Sequence, residues 1–334
     1  MNNTFTQIDK IIQSSDRIVL STHEKPDADG LGSAIAFFYY LKAINKDVRI
    51  IQPSKFPKNC KMINPDNIVD TFCENDISWI ESSDLLIIFD VGHYKRTKEV
   101  SEVALKNNID IISIDHHKND NTDIFKVFMI DIDAPATGLL VWRYLKNINL
   151  NTPWDIKISN ALYAALMTDT GSFRYNNTTS ESHEMASELI GLGVRPYDIY
   201  VSIYEQRSLS QLRLFSYVID NLMFNLDNKV CHTVIDNKTL KNTNSTIEDI
   251  DGFTEFLRSI ENVEISFVIV EQLDGSYRIS FRSKGKYSIN DVAAEFNGGG
   301  HKFAAGCKTL NSNIIEIEEK IINLLNKKMS KNVN

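Results

Sequence analysis

Short runs of β-branched and aliphatic residues alternate with amphipathic stretches through the first half of the chain, the pattern of βαβ units around a parallel sheet. Arg17 to Thr22, Val48 to Gln52, Asp84 to Phe89 and Ile109 to Ile114 predict strands. Apolar residues return every three or four positions from Leu31 to Ile44, from Gly138 to Leu145 and from Ile156 to Met167, predicting helices that cover the sheet faces. From Ser180 to Asn225 the pattern is almost wholly helical, broken once at Gly191, Gly193 and Pro196, and reads as a connector. After Asn228 the period changes: Val230 to Ile235, Val263 to Glu271 and Tyr277 to Arg282 read as strands, with a hairpin turn at Asp274-Gly275. Ser288 is expected to cap a helix through Asn297, a triple glycine follows, and Ile314 to Leu325 forms a final amphipathic helix. The expectation is an α/β protein. A parallel-sheet domain with helices on both faces spans residues 1–187, a helical linker 188–227, and a smaller α/β domain with a mixed sheet 228–330.

Composition supports two globular domains and narrows the partners. A chain of 334 residues exceeds what one core usually spans, and 43% hydrophobic with 24% charged residues excludes wholesale disorder. The net charge of −8 argues against a basic surface that grips long DNA, while leaving room for a local anion pocket. The longest apolar run, around Ala34 to Leu41, falls short of the ~20 residues that span a bilayer, and Met1 to Lys10 lacks the pattern of a secretory signal. A cytoplasmic protein without a membrane partner is expected. Cys60, Cys73, Cys231 and Cys307 form no CxxC pair, so packing is their expected role.

Ligands of an open α/β sheet bind beyond the carboxyl ends of its strands. His23, Asp27 and Asp29 follow the first predicted strand and Asp90 the third. Asp115, His116 and His117 follow the fourth, and Asp169 ends the helical stretch from Ile156, ahead of Gly171. Taken singly, an aspartate at a strand end is often a turn former or helix cap, and His93, His183 or His232 alone reads as solvated or structural. Together, five carboxylates in one crevice repel, and burying them unpaired costs several kcal/mol each, so a cation is required. Carboxylate oxygen mixed with imidazole nitrogen suits Mn²⁺, Fe²⁺, Co²⁺ or Zn²⁺. The donors exceed one ion's needs, and two ions ~3.5–4 Å apart activate water and clamp a phosphoryl group.

These segments resemble the motifs of the DHH phosphoesterase superfamily, in order. His23 to Ser33 (HEKPDADGLGS) matches the first, Asp90 the second, Asp115-His116-His117 the third and Thr168-Asp169-Thr170-Gly171 the fourth. Ser280 to Gly306 (SFRSKGKYSINDVAAEFNGGGHKFAAG) resembles the DHHA1 domain of one branch. The resemblance implies a DHH catalytic domain followed by a DHHA1 substrate-binding domain. Similar chains of this size are the nanoRNase/pAp phosphatases and the soluble cyclic-di-AMP phosphodiesterases.

Residue by residue, the resemblance implies one ion held by His23, Asp27 and Asp90, and a second by Asp29, Asp90, His116 and Asp169, with Mn²⁺ preferred. His117 would contact phosphate or protonate the leaving oxygen, and Asp115 would orient a neighbouring histidine. Gly298, Gly299 and Gly300 allow close backbone approach to a phosphate. Asn297, His301 and Arg282 are candidate substrate residues beside them, with Arg174 and Arg96 weaker ones of the same kind. His93 stands where the family more often carries a small or acidic residue, and is not assigned to metal. The implied activity is two-metal hydrolysis of cyclic-di-AMP, of linear dinucleotides such as pApA, or of short RNA to 5′-mononucleotides, by a homodimer. The alternatives are a pAp phosphatase/nanoRNase without cyclic-dinucleotide activity and a non-catalytic nucleotide-binding module.

Overall fold

A strand covered on both faces needs apolar residues at successive positions, and Leu85–Phe89 supplies five, all buried. The structure, a computed structural model, describes residues 2–119, 122–148, 154–309 and 313–331. It divides between Gln206 and Arg207 into two compact units.

The first unit is built on six parallel strands: β1 (Arg17–Thr22), β2 (Asp47–Gln52), β3 (Val69–Thr71), β4 (Leu85–Phe89), β5 (Asp110–Asp115) and β6 (Val127–Ile130). Their order is β3-β2-β1-β4-β5-β6. The direction of winding reverses between β1 and β4, which opens a crevice beyond the strands' carboxyl ends. Alternate residues take opposite faces. Ile18, Leu20, Ile87 and Phe89 pack with the helices Ala28–Ala43, Thr137–Asn147 and Ile156–Asp169. Val19, Leu86 and Ile88 pack with Ile80, Val100 and Ala104 on the other face.

Three of those helices approach unusually closely. A Cβ on Gly32 would stand 2.3 Å from the Ala161 carbonyl oxygen, and one on Gly138 would stand 2.5 Å from the Ala165 Cβ. The helix Asn2–Ser14 adds Phe5, Ile8 and Ile12 to the same core. It is absent from the elements predicted, because four apolar positions among Asn, Thr and Gln make a narrow stripe.

The second unit holds the mixed sheet β11-β12-β10-β9-β8-β7, with β7 (Met223–Asn225), β8 (Val230–Ile235), β9 (Ile265–Glu271), β10 (Tyr277–Ser283), β11 (Gly299–His301) and β12 (Ala304–Thr309). Only β8 and β9 run parallel; the other neighbours are antiparallel. The helix Ile314–Lys331 covers one face through Ile317, Ile321 and Leu325. Leu214, Val218 and Leu257 cover the other.

Two expectations are corrected. Ser288 does not cap the following helix, which spans only Asn290–Ala294, starts from Ile289 and has no side-chain cap. Nor does that helix run through Asn297: it ends at Ala294, and Gly299 and Gly300 of the triple glycine pair with Gly306 and Ala305 as strand β11. The segment 188–227 is shared between the units. The helix Pro196–Tyr204 packs on Ile156–Asp169 and on the turn Lys58–Ile63, whereas Leu209–Asp220 packs on β8. All four cysteines are free, with Cys60, Cys231 and Cys307 buried. Among the described residues no helix is long and apolar enough to cross a membrane.

The Gly32 contact yields a test of the packing. Gly32→Ala forces a methyl group against backbone, and is expected to destabilise the protein by about 1–3 kcal/mol in chemical denaturation. An unchanged midpoint would show that the helices separate freely.

Candidate metal centre

Asp27, Asp29 and Asp115 are fixed by backbone amides before any ligand is considered. Asp27 caps the helix Ala28–Ala43: its Oδ1 accepts from the amides of Asp29 at 3.0 Å and Gly30 at 3.2 Å, and its Oδ2 lies 3.5 Å from His23 Nε2. Asp29, fully buried in the first turn, accepts from the amides of Thr137 at 2.7 Å and Gly138 at 2.8 Å. Those are the opening amides of the helix Thr137–Asn147, whose positive end favours a carboxylate. Asp90 follows β4 with a left-handed backbone, φ +59°, which few residues other than glycine adopt. Its Oδ1 accepts from the Thr137 hydroxyl at 3.2 Å.

Asp115 closes β5 and uses both oxygens. Oδ2 accepts from the amides of Val91 at 2.9 Å and Gly92 at 2.6 Å, which shapes the turn that carries Asp90. Oδ1 accepts from the His117 amide and from its Nδ1, each at 2.9 Å. His116 donates through Nδ1 to the Ala134 carbonyl at 3.1 Å. Its Nε2 therefore faces Asp169 at 3.2 Å, Asp90 at 3.4 Å and Asp29 at 3.8 Å. Similarly, His23 Nδ1 is 2.8 Å from the Glu24 carbonyl, and its Nε2 faces Asp27 and, at 3.6 Å, Asp90.

Three overlapping sets result: His23, Asp27 and Asp90; Asp90, His116 and His117; Asp29, His116 and Asp169. Within each set one ligand atom per residue lies within 4.8 Å of the others. The first is the trio anticipated for one ion, and the third holds three of the four residues anticipated for the other. Asp90 is common to the first two and His116 to the last two. His117, anticipated beyond the metal, enters a set, and its Nδ1, which Asp115 holds, lies 3.2 Å from Asp90 Oδ1.

The electrostatics show what the donors lack. Burial, then the charges of Asp90 and Asp169, raise Asp29 well above the usual carboxylate range. Burial, then Asp90 and Asp27, raise Asp169 to about 7. Burial also favours neutral Asp90, but hydrogen bonds from His116, His117 and His23 outweigh it and hold that carboxyl well below its ordinary value. Burial opposes charging of the imidazoles, yet hydrogen bonds to the carboxylates raise His23 and His116 to about 10 and His117 to about 9. Protons thus stand in for a cation. Oriented imidazoles with their second nitrogens tied to carbonyls, set among carboxylates, fit a divalent ion.

Other candidates have different surroundings. Arg174 is exposed and donates to the Gly171 carbonyl at 2.8 Å. Arg96 donates to the Val91 carbonyl at 3.1 Å and lies 3.0 Å from His23 Nδ1, behind the metal-facing side of that ring. His93 stacks on Tyr94 and accepts from the Lys95 amide at 3.2 Å, so it caps a local turn. Thr137, Gly138 and Ala134 were not anticipated. They act through backbone atoms, or through a hydroxyl, at a helix start that carries no charge to mark it.

The second unit carries the remaining residues. Arg282 on β10 donates from Nε to Glu255 at 2.6 Å. Ala304 pairs with Arg282 on one side and with His301 on the other, so all three share a sheet face, with a small residue in the middle. Asn297 has φ +57°, and a Cβ on Gly298 would stand 2.3 Å from the Gly306 carbonyl oxygen. Gly299 to His301 are exposed.

The chain is similar to known proteins along most of its length. The family described as "DHH family, N-terminal domain" matches residues 17–170, and the DHHA1 domain matches 223–331. The bifunctional oligoribonuclease and PAP phosphatase NrnA of Thermus thermophilus is 24% identical over 319 residues, 94% of this chain and 90% of that one. The Bacillus subtilis protein of the same name is 24% identical over 302 residues, 90% and 92% of the two chains. The crystal structure of an exopolyphosphatase-related protein from Bacteroides fragilis superposes with a TM-score of 0.92 at 28% identity, covering 98% of this chain and 96% of that one.

Metal loading is expected to expel the protons that the imidazoles hold. His23 and His116, raised to about 10, are charged at pH 8 in the metal-free protein and must be neutral to ligate. Titration calorimetry of Mn²⁺ at pH 8 in buffers of different ionisation enthalpy should report release of about two protons. An enthalpy independent of buffer would contradict this charge state.

Proposed function

Because the chain belongs to the DHH phosphoesterases that carry a DHHA1 domain, we propose that it hydrolyses short oligoribonucleotides and 3′,5′-bisphosphate nucleotides such as pAp to 5′-mononucleotides. The observation that carries the reading is the overlap of the three donor sets through Asp90 and His116, which supports two adjacent ions. The names of the relatives support the substrate class. Mn²⁺ suits the mixed oxygen and nitrogen donors. Cytoplasmic location and a homodimeric state belong to the same proposal.

When bound, the ions neutralise charge on the phosphoryl oxygens and acidify a water molecule. The chain's own residues do the rest. Asp90 presents Oδ2 to His23 and Oδ1 to His116 and His117, so one carboxylate serves both positions. Asp115 fixes His117 through Nδ1, which makes Nε2 the nitrogen that meets the substrate. There it contacts the phosphoryl group or protonates the ribose oxygen as the P–O bond breaks. Arg282 and His301, on one sheet face, grip a phosphate of the substrate together with the backbone of Asn297 and Gly298 to Gly300, and Arg174 is a further phosphate contact. Cyclic-di-AMP hydrolysis has no separate observation in its favour and becomes an outcome of the test.

A time course with purified protein and Mn²⁺, offering pApA, pAp, a short RNA and cyclic-di-AMP side by side, decides the matter. Consumption of the first three, blocked by EDTA, is expected. Failure to consume any of them refutes the reading, and conversion of cyclic-di-AMP extends it. Asp90→Asn should abolish turnover and leave the fold intact by circular dichroism. His117→Ala should lower kcat by about 10²–10⁴-fold.

A further inference from the structure

We propose that the groove between the turn Lys58–Ile63 and the helix Pro196–Tyr204 receives the nucleotides of an oligoribonucleotide that lie beyond the one at the metal centre. The inference rests on the functional reading above and names a subsite that the reading does not contain. The groove has a volume of about 600 Å³, within the ~300–1,000 Å³ range of small-ligand sites.

Its walls combine the two features that bind single-stranded nucleic acid without reading sequence: cations for the backbone and rings for the bases. Lys58 and Lys61 line one wall, both exposed, with no ion-pair partner among the described residues. The opposite wall presents Tyr197, 72% exposed, with Val201 and Ser202 one turn further along the same helix face. Tyr200 and Tyr204, outside the groove's lining, follow on the same helix with ring centroids 5.0 Å apart. The acid on this wall, Asp198, is paired with Arg195 at 3.0 Å, which blunts its repulsion of phosphate. In a chain of net charge −8, the groove therefore sets two lysines opposite an exposed tyrosine.

The groove also flanks the catalytic crevice. The turn Lys58–Ile63 leaves β2 at the carboxyl end of the sheet and carries buried Cys60, whose thiol is within reach of the Asp27 charge. At the far end of the helix, Tyr204 sits against Ser172 and Arg174 in the loop that follows Asp169. Both walls are therefore anchored beside metal-facing residues. A substrate with one nucleoside, such as pAp, ends at the metal centre, whereas a tetranucleotide must continue past it.

The test compares substrate lengths. In the variant Lys58→Ala, Lys61→Ala, Tyr197→Ala, all at exposed positions, the ratio of kcat/KM for tetra-adenylate to that for pAp should fall about tenfold or more. Fluorescence anisotropy with labelled tetra-adenylate and metal-free protein in EDTA should show a matching loss of affinity. Tyr197→Phe keeps the ring and should restore most of it, whereas Lys106→Ala, outside the groove, should keep the wild-type ratio. A triple variant whose ratio and affinity stay within about twofold of wild type overturns the proposal, as does an equal effect of Lys106→Ala. If the wild type consumes no ribonucleotide, the functional reading falls, and the metal-free binding measurement still decides whether the groove holds RNA.

Discussion

The structure of the first unit answers to one constraint: negative charge is concentrated where little water reaches it. Asp29 and Asp90 are 0% and 2% exposed, and Asp27 and Asp169 stand nearby. Such a group persists only if positive charge, or partial positive charge, is supplied from every side. The protein supplies it in layers. The amides at the start of the helix Thr137–Asn147 take Asp29, the amides of Asp29 and Gly30 take Asp27, and three imidazoles surround Asp90. What these layers cannot supply is a compact dication at the centre, and the imidazole protons occupy that role until one arrives.

The strand order makes this layering possible. A parallel sheet that reverses its winding between β1 and β4 delivers several loops to one end, each with its own side chain and its own amides. Asp115 shows how tightly the loops depend on one another. One of its oxygens shapes the turn after β4 and the other aligns His117, so the backbone that positions Asp90 and the ring that would meet the substrate are set by a single carboxylate. The second unit, by contrast, offers a flat row of Arg282, Ala304 and His301, suited to contact rather than to chemistry.

The crevice was legible in the sequence because its signals are local. β4 is an unbroken apolar run, β1 and β5 are largely aliphatic and buried, and the chemistry follows within a few residues of each. Elements defined by their partners were not legible. β3, β6, β7 and β11 have three or four residues, too few for a period to show, and β12 (AAGCKT) owes its existence to pairing with β10 rather than to β-forming side chains. The Thr137 and Gly138 amides that hold Asp29 lie 108 and 109 residues away along the chain, and an amide leaves no mark in an alphabet of side chains.

The close approach at Gly32 has a consequence for the crevice itself. Asp29 opens the helix Ala28–Ala43 and Asp169 ends the helix Ile156–Asp169, and the two helices meet backbone to backbone at Gly32 and Ala161. The gap between these two carboxylates is thereby gauged by a contact that cannot widen without opening the core. A change in that packing therefore reaches the crevice as a change in the distance between two carboxylates, so the core of the first unit and its charged end cannot be altered independently.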